Sequence, residues 1–314
     1  MKARAFSWSK AAVVTGLLAV TFFPVMAPSP YLVSLAIEVF IFSVYAMSYD
    51  LLMGFTGIVS FGHALFFGAG AYTAGILLSR TGIPLPGVMA LVVVAAALLA
   101  AGVGVLSLRV RGVYFAMVTL AFAELFFIVA HKWSRVTGGS DGLTGIPVPD
   151  WLLSRVAFYY FALLLAAAVF LLAQRLINSP AGSVMVAIRE NETRAAVIGY
   201  NVFAFKLLAM VISGVLAALA GMTYALFLDY AYPALVGIDT TVSALLMTLI
   251  GGVGTLWGGI LGAAVVRLLG FWLSTLFDRW LLVFGMVYVL IMMFLPSGVM
   301  GWFKRLVENF TRGR

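Results

Sequence analysis

The sequence predicts an all-α membrane protein built as a single transmembrane domain, and three observations carry that reading. Of the 314 residues, 64% are hydrophobic and only 10% are charged, with a mean hydropathy of +1.14, well beyond what a soluble domain carries. The apolar residues fall in unbroken runs long enough to cross roughly 30 Å of hydrocarbon as helices, which excludes the short alternating strands of a membrane barrel. Lys and Arg gather at the ends of those runs, so the net charge of +8 sets membrane orientation and does not mark a nucleic-acid surface.

Taken in order, Lys2, Arg4 and Lys10 precede an apolar run that has the form of a secretory signal. Pro28 directly after Val25-Met26-Ala27 disfavours cleavage there, and further spans follow, so a retained first helix over 11–27 is expected. Further helices are expected near 31–53, 57–78, 86–107, 113–130, 156–174, 205–227, 240–254, 258–277 and 280–296, about ten crossings in all. With the N-terminus inside, both termini are cytoplasmic. Inside then fall Lys2, Arg4, Lys10, Arg109, Arg111, Arg175, Arg189, Arg194, Lys206, Lys304, Arg305, Arg312 and Arg314, and outside only Arg80, Lys132, Arg135, Arg155 and Arg279. That distribution obeys the positive-inside rule. Five helices over about 11–130 and five over about 156–296 start from opposite sides, the topology of an inverted repeat. An outer loop over 131–155 joins them, and a faint glycine echo sets Gly54, Gly57 and Gly62 against Gly251, Gly254 and Gly258.

The longest polar interruption on the basic side runs over 175–206. In it Arg189, Glu190, Asn191, Glu192 and Arg194 crowd together, followed by Ala195, Ala196 and Gly199 at helical spacing. A plain solvated loop is one reading. The other is a short extramembrane helix, with a small-residue core fit for another protein's groove, and so a docking element.

Between Gly54 and Ala71 glycine loosens a span, while Ser60 and His63 bring polar groups that need partners in lipid. With Gly251, Gly254, Thr255 and Gly258 this region is a candidate for broken helices lining a substrate path; tight helix packing is the alternative. Gly254, Gly258 and Gly262 recur every fourth residue and offer a smooth ridge for a neighbouring helix. The only other histidine is His131, in the outer loop, so His63 reads as a hydrogen-bonded packing residue. The outer loop is long for a structureless link, and an external partner or gate is its functional reading.

Glu38, Asp50, Glu124 and Arg267 lie within expected spans, where ionisable groups mark function or pairing. Counted from the cytoplasmic helix ends, Glu124 and Arg267 share a depth of roughly 14–16 Å, which makes Glu124 the best-matched partner for Arg267. Separate bonding of each to backbone, water or another chain stays open. No lysine follows a glycine, so a phosphate-binding G-x-x-x-x-G-K-[ST] loop is absent; there is also no H-E-x-x-H, and no cysteine. The chain is therefore expected to carry no catalytic residues, metal or cofactor.

The segments at 48–72 (S-Y-D-L-L-M-G-F-T-G-I-V-S-F-G-H-A-L-F-F-G-A-G-A-Y), 112–126, 137–147 (T-G-G-S-D-G-L-T-G-I-P), 187–201 (A-I-R-E-N-E-T-R-A-A-V-I-G-Y-N) and 251–263 (G-G-V-G-T-L-W-G-G-I-L-G-A) resemble the permeases of branched-chain amino acid ABC importers. Their order and spacing fit the M-type subunit better than the H-type. The resemblance implies a bacterial inner-membrane permease paired with an H-type permease, two cytoplasmic ATPases and a periplasmic binding protein. It also implies that ATP hydrolysis lies in the partners, that a coupling helix falls on Ala187–Gly199, and that the cargo is an amino acid. Urea and short-amide importers use related permeases. Gly259 departs from the family pattern, which often has proline there. A proton-coupled secondary transporter is the reading from a different class, motivated by the intramembrane acids.

Overall fold

A computed structural model describes residues 21–24, 26, 29–294 and 298–301. The expected first helix falls almost wholly outside these residues, as do Lys2, Arg4, Lys10, Lys304, Arg305, Arg312 and Arg314. The described chain is helical: α1 Pro30–Thr56, α2 Ala64–Thr81, α3 Leu85–Ser107, α4 Val113–Lys132, α5 Arg155–Ile177, α6 Pro180–Glu190, α7 Glu192–Val197, α8 Val202–Leu228, α9 Ile238–Gly251, α10 Leu256–Leu276 and α11 Trp280–Phe294. Six of them, α1, α3, α4, α5, α8 and α10, are long and apolar enough to cross a membrane. Large apolar side chains such as Leu98 and Leu164 are 70% and 69% exposed, as lipid-facing positions are.

Helix α1 is the axis of the molecule. Every residue from Ile41 to Leu52 is buried, and α5, α8, α9 and α10 pack around it. In hydrocarbon there is no hydrophobic drive between helices, so close approach depends on small residues. At the α2–α8 contact a Cβ on Gly70 would overlap the Ala218 carbonyl, and one on Gly221 would overlap that of Phe67.

One expected helix is broken where it should have run on. The segment expected to be helical from residue 57 becomes so only at Ala64. Gly57 adopts the left-handed conformation (φ 75°), and the amides of Gly57 and Ile58 close the end of α1 on Met53 and Leu52, the Schellman arrangement. Residues 57–63 then fold back along α1. Helix α8 stops within a residue of its expected end, capped by Asp229 in the left-handed region (φ 53°), and an extended and 3-10 segment through Val236 leads into α9. At about 21 Å, α9 alone is too short to span, and the segment before it packs Val236 on Gly68 of α2. The starts of α2 and α9 meet inside the protein, where the Ala64 amide donates to Thr241 Oγ1 at 2.9 Å.

The glycines are not deployed as the echo suggests. The Gly54–Gly57 and Gly251–Gly254 tracts touch at one and the same end of the molecule, whereas an inverted repeat places equivalent residues at opposite ends. Gly254 (φ 78°) lies in the α9–α10 turn and so is not part of the ridge; Gly258 and Gly262 carry it, packed on the backbone of α9 at Gly251 and Met247. Gly259 sits in the first turns of α10 and lets it approach Met47 of α1.

The outer loop is ordered against the α8–α9 break. Strand β1 (Leu143–Thr144) pairs antiparallel with β2 (Tyr230–Ala231), and the amides of Gly145 and Ile146 donate to the Asp229 carbonyl. The guanidinium of Arg80 donates to the Arg135 carbonyl at 2.6 Å, and the Tyr230 hydroxyl to that of Asp141 at 2.8 Å. Gly138-Gly139-Ser140-Asp141-Gly142 has the Gly-x-Ser-x-Gly spacing of a hydrolase nucleophile turn. Gly139–Asp141 form a 3-10 turn in which the exposed Ser140 donates to its neighbour Asp141, with none of the strand-to-helix geometry that chemistry requires.

Candidate coupling junction

The polar excursion forms two helices, because three side chains in succession cap helix starts. Ser179 Oγ accepts the Gly182 amide ahead of Pro180 at the first position of α6. Asn191 is extended (φ −159°, ψ 101°); it ends α6, and its Oδ1 accepts the Arg194 amide at 2.8 Å to begin α7. Asn201 caps α8 in the same way, accepting from Ala204 at 3.1 Å. Such caps each contribute about 1 kcal/mol. Asn191 was expected in a single helix and is instead the joint between two.

Val184, Ile188 and Ala195 make a small core under α6 and α7, against Val202 and Phe205. Ala195 therefore faces inward, a correction to its expected place in a partner's groove. Glu192 is also engaged within the chain, by Lys206 at 2.7 Å and Arg111 at 3.4 Å. Glu190, Arg194, Ala196 and Gly199 are exposed. Beside them stand three exposed apolar side chains that the sequence reading passed over: Val197 (83%), Ile198 (68%) and Tyr200. Their signal was an apolar triplet in a stretch that leaves the membrane.

Arg189 points the other way. Its guanidinium donates to the carbonyl of Gly54 at the end of α1, and its side chain lies over Gly57 and beside Gly254. Asp50, one turn earlier in α1, accepts the Gly254 amide through Oδ1 at 2.7 Å. Gly54 has to be glycine: a Cβ there would overlap the Asp50 carboxylate and come against the Gly254 amide. Thr255 closes the turn by donating to Gly252 at 2.6 Å. The structure thus brings together Asp50, Gly54, Gly57, Arg189, Gly254 and Thr255, which the sequence had divided among docking, path and charge roles. A displacement of α6 would act on the end of α1 through the Arg189–Gly54 hydrogen bond and the packing of Arg189 on Gly57, and from there on the turn before α10 through Asp50 and Gly254.

Ser60, Gly62 and His63 form a second cluster, deeper in the protein. Ser60 and His63 are fully buried, so they do not line an open path here. Several polar groups of this turn are met by side chains, as the lack of water in hydrocarbon demands, whereas His63 Nδ1 is buried with no partner among the described residues. Tyr49 donates to the Ser60 carbonyl at 3.1 Å and Thr119 Oγ1 accepts the Phe61 amide at 3.2 Å. His63 Nε2 pairs with Ser48 Oγ at 2.9 Å, and its ring stacks on Tyr45, the packing role expected of it. Thr119 and Thr241 were missed, since nothing in a single span tells which threonine will meet another segment's amide.

The intramembrane charges pair differently from the expectation. Arg267 on α10 meets Glu38 on α1, Nη1 to Oε2 at 3.5 Å, with its guanidinium 3.3 Å above the centroid of the Phe42 ring. Glu124 is exposed on α4. The physical reason is helix adjacency: α10 lies along α1, and depth along one axis does not say which faces meet. Measured from the other helix ends, Glu38 and Arg267 are in fact matched, at roughly 12 and 14 Å.

The family model described as the branched-chain amino acid transport system permease component matches residues 31–296. The high-affinity branched-chain amino acid transport system permease protein LivM of Escherichia coli (strain K12) is 28% identical over 302 residues, 85% of this chain and 69% of that protein. The probable branched-chain amino acid transport permease protein LivM of Methanocaldococcus jannaschii is 26% identical over 314 residues, 82% of this chain and 90% of that one. Among solved structures, PsaBC from Streptococcus pneumoniae in complex with Fab aligns over 88% of this chain and 95% of that chain, at 16% identity and a TM-score of 0.46, too loose a likeness to argue from.

Proposed function

This chain belongs to the family of branched-chain amino acid transport permease components, and from that premise we propose that it is the M-type permease of an ABC importer for aliphatic amino acids in a bacterial inner membrane. Its partners are a second permease of the H type, two cytoplasmic ATPases that hydrolyse ATP in its stead, and a periplasmic binding protein. The observation that carries the reading is the build of α6 and α7. Their outer face ends in Val197, Ile198 and Tyr200, exposed at a place where the chain leaves the membrane, and their inner face is hydrogen-bonded through Arg189 to Gly54. A partner pressing on the first face moves the second.

The α6–α7 end is then cytoplasmic and the β1–β2 end external. The inverted repeat is supported by packing rather than by the glycine echo. Helices α1 and α8 each run 27 residues and end in a left-handed residue before a broken segment. Helix α10 lies on α1 as α3 lies on α8, and α9 packs on α10 as α2 packs on α3. A path is proposed along the meeting point of the α2 and α9 starts, where half-helix N-termini favour a carboxylate.

The test is ATP-driven leucine uptake by the purified complex in liposomes, with identification of the ATPases that co-elute with this chain. Uptake by this chain alone, abolished by an uncoupler, is the result that replaces the importer with a proton-coupled transporter.

A further inference from the structure

Between α1, α9, α10 and α11 lies a cavity of about 340 Å³, with Glu38 and Arg267 in its wall, within the size range of small-molecule sites. Tyr31 and Ser274 line it near the ends of α1 and α10, the end read above as external. Its polar side chains are the ion pair, Ser34, Ser243, Ser274 and, with their rings, Tyr31 and Trp280. Apolar side chains, Leu35, Leu246 and Phe284 among them, make up much of the rest.

The ion pair is not a closed one. Its single contact of 3.5 Å is long beside the 2.7–2.9 Å of a charge-assisted hydrogen bond. Both side chains keep about a quarter of their surface accessible, 26% for Arg267 and 28% for Glu38. Arg267 Nε has no acceptor among the described residues. The guanidinium is nonetheless held in place, over the face of Phe42 and facing the Tyr224 hydroxyl. Such a pair offers no net charge to a cation or an anion. A zwitterion differs, because it exchanges one long contact for two short ones.

We propose that this cavity binds an aliphatic α-amino acid on its way through the membrane, the carboxylate on Arg267, the ammonium on Glu38, and the side chain against the apolar wall. The inference rests on the amino-acid importer reading and assigns that substrate a specific site in this chain. It accounts for the placement of two opposite charges in the outer half of the span, where ionisable groups are costly unless used.

The chain has no cysteine, so Ser34→Cys supplies one reporter that leaves both charges intact. In the reconstituted complex, leucine should slow labelling of this cysteine by a small water-soluble thiol reagent. 4-Methylpentanoate, which lacks the ammonium, and isopentylamine, which lacks the carboxylate, should not. Glu38→Gln and Arg267→Gln, compared with wild type at equal amounts of folded permease, should each raise the KM for leucine uptake at least about tenfold. Equal protection by all three compounds, or an unchanged KM in both variants, overturns the proposal. So does labelling that responds to the phosphatidylethanolamine content of the liposomes and not to leucine, which makes the cavity a lipid site. Wild-type import of leucine with an unprotected Ser34→Cys removes the cavity and leaves the importer standing. Absence of any ATP-driven leucine uptake removes the importer, and protection by leucine then still decides the cavity.

Discussion

The carboxylate of Asp50 accepts the backbone amide of Gly254 at 2.7 Å, across 204 positions of sequence. It ties the last turns of α1 to the turn that opens α10, and it stands beside the Arg189–Gly54 contact. Gly254 has φ 78° and lies away from any helix ladder, so its amide depends on this acceptor.

Asp50→Ala should therefore leave a partly buried amide without its acceptor, at a cost toward the low end of about 1–3 kcal/mol. Asp50→Asn retains an acceptor oxygen and should lose less. Thermal unfolding of the purified chain, followed by intrinsic fluorescence, should rank wild type above Asn and Asn above Ala. Equal melting of Ala and wild type sinks the role assigned to Asp50.

Arg189 bears on coupling more than on stability, since its side chain joins two elements that are each held by other contacts. Arg189→Ala should leave the ATPases bound and hydrolysing while leucine uptake per ATP falls several-fold. Arg189→Lys should recover part of the loss, because one ammonium can still reach the Gly54 carbonyl. An unchanged ratio of transport to hydrolysis in the alanine variant removes the junction from the mechanism.

Much of this arrangement was legible in the sequence, and the limits have physical causes. The spans were readable because hydrocarbon thickness fixes their length: α3, α4 and α10 fall within two residues of expectation at each end. The break before Ala64 was hidden because Ile58, Val59 and Phe61 keep the segment apolar, and hydropathy does not register a turn whose amides are satisfied by Thr119 and Thr241 from other helices. The segment proposed to dock the ATPases stands out in the sequence by its charges. Of those charges, Arg189 reaches Gly54 and Glu192 pairs with Lys206, Glu190 and Arg194 stay exposed, and the tip that follows them is apolar.

That apolar tip predicts which substitutions disrupt ATPase binding. Val197→Asp and Ile198→Asp alter side chains that touch little of this chain, so folding should be preserved while co-purification of the ATPases is lost. Ala195→Trp should act oppositely: overfilling the small core with Val184 and Ile188 costs about 1–3 kcal/mol and lowers the melting temperature of the permease itself. Gly199→Trp has open space around it but a φ of 103°, so it combines a strained backbone with a blocked tip and should impair both properties. If Val197→Asp and Ile198→Asp retain the ATPases in full, the tip is not the contact.

The Glu38–Arg267 pair allows stability and recognition to be separated in one experiment. Removing either charge leaves the other unpaired at about 12–14 Å depth, and breaking a buried pair costs about 3–5 kcal/mol, less here because both side chains are partly accessible. Glu38→Leu and Arg267→Leu should accordingly reduce the amount of folded permease in the membrane, whereas Glu124→Leu, on the exposed face of α4, should not destabilise the isolated chain. The exchange of charges, Glu38→Arg with Arg267→Glu, restores an ion pair and should return expression and melting temperature toward wild type. It should not return leucine uptake, because the carboxylate and ammonium sites are then reversed relative to the apolar wall formed by Leu246 and Phe284. Full recovery of uptake in the exchanged variant would show that the pair serves the fold alone; failure to recover even expression would show that the two side chains are not held together by their charges.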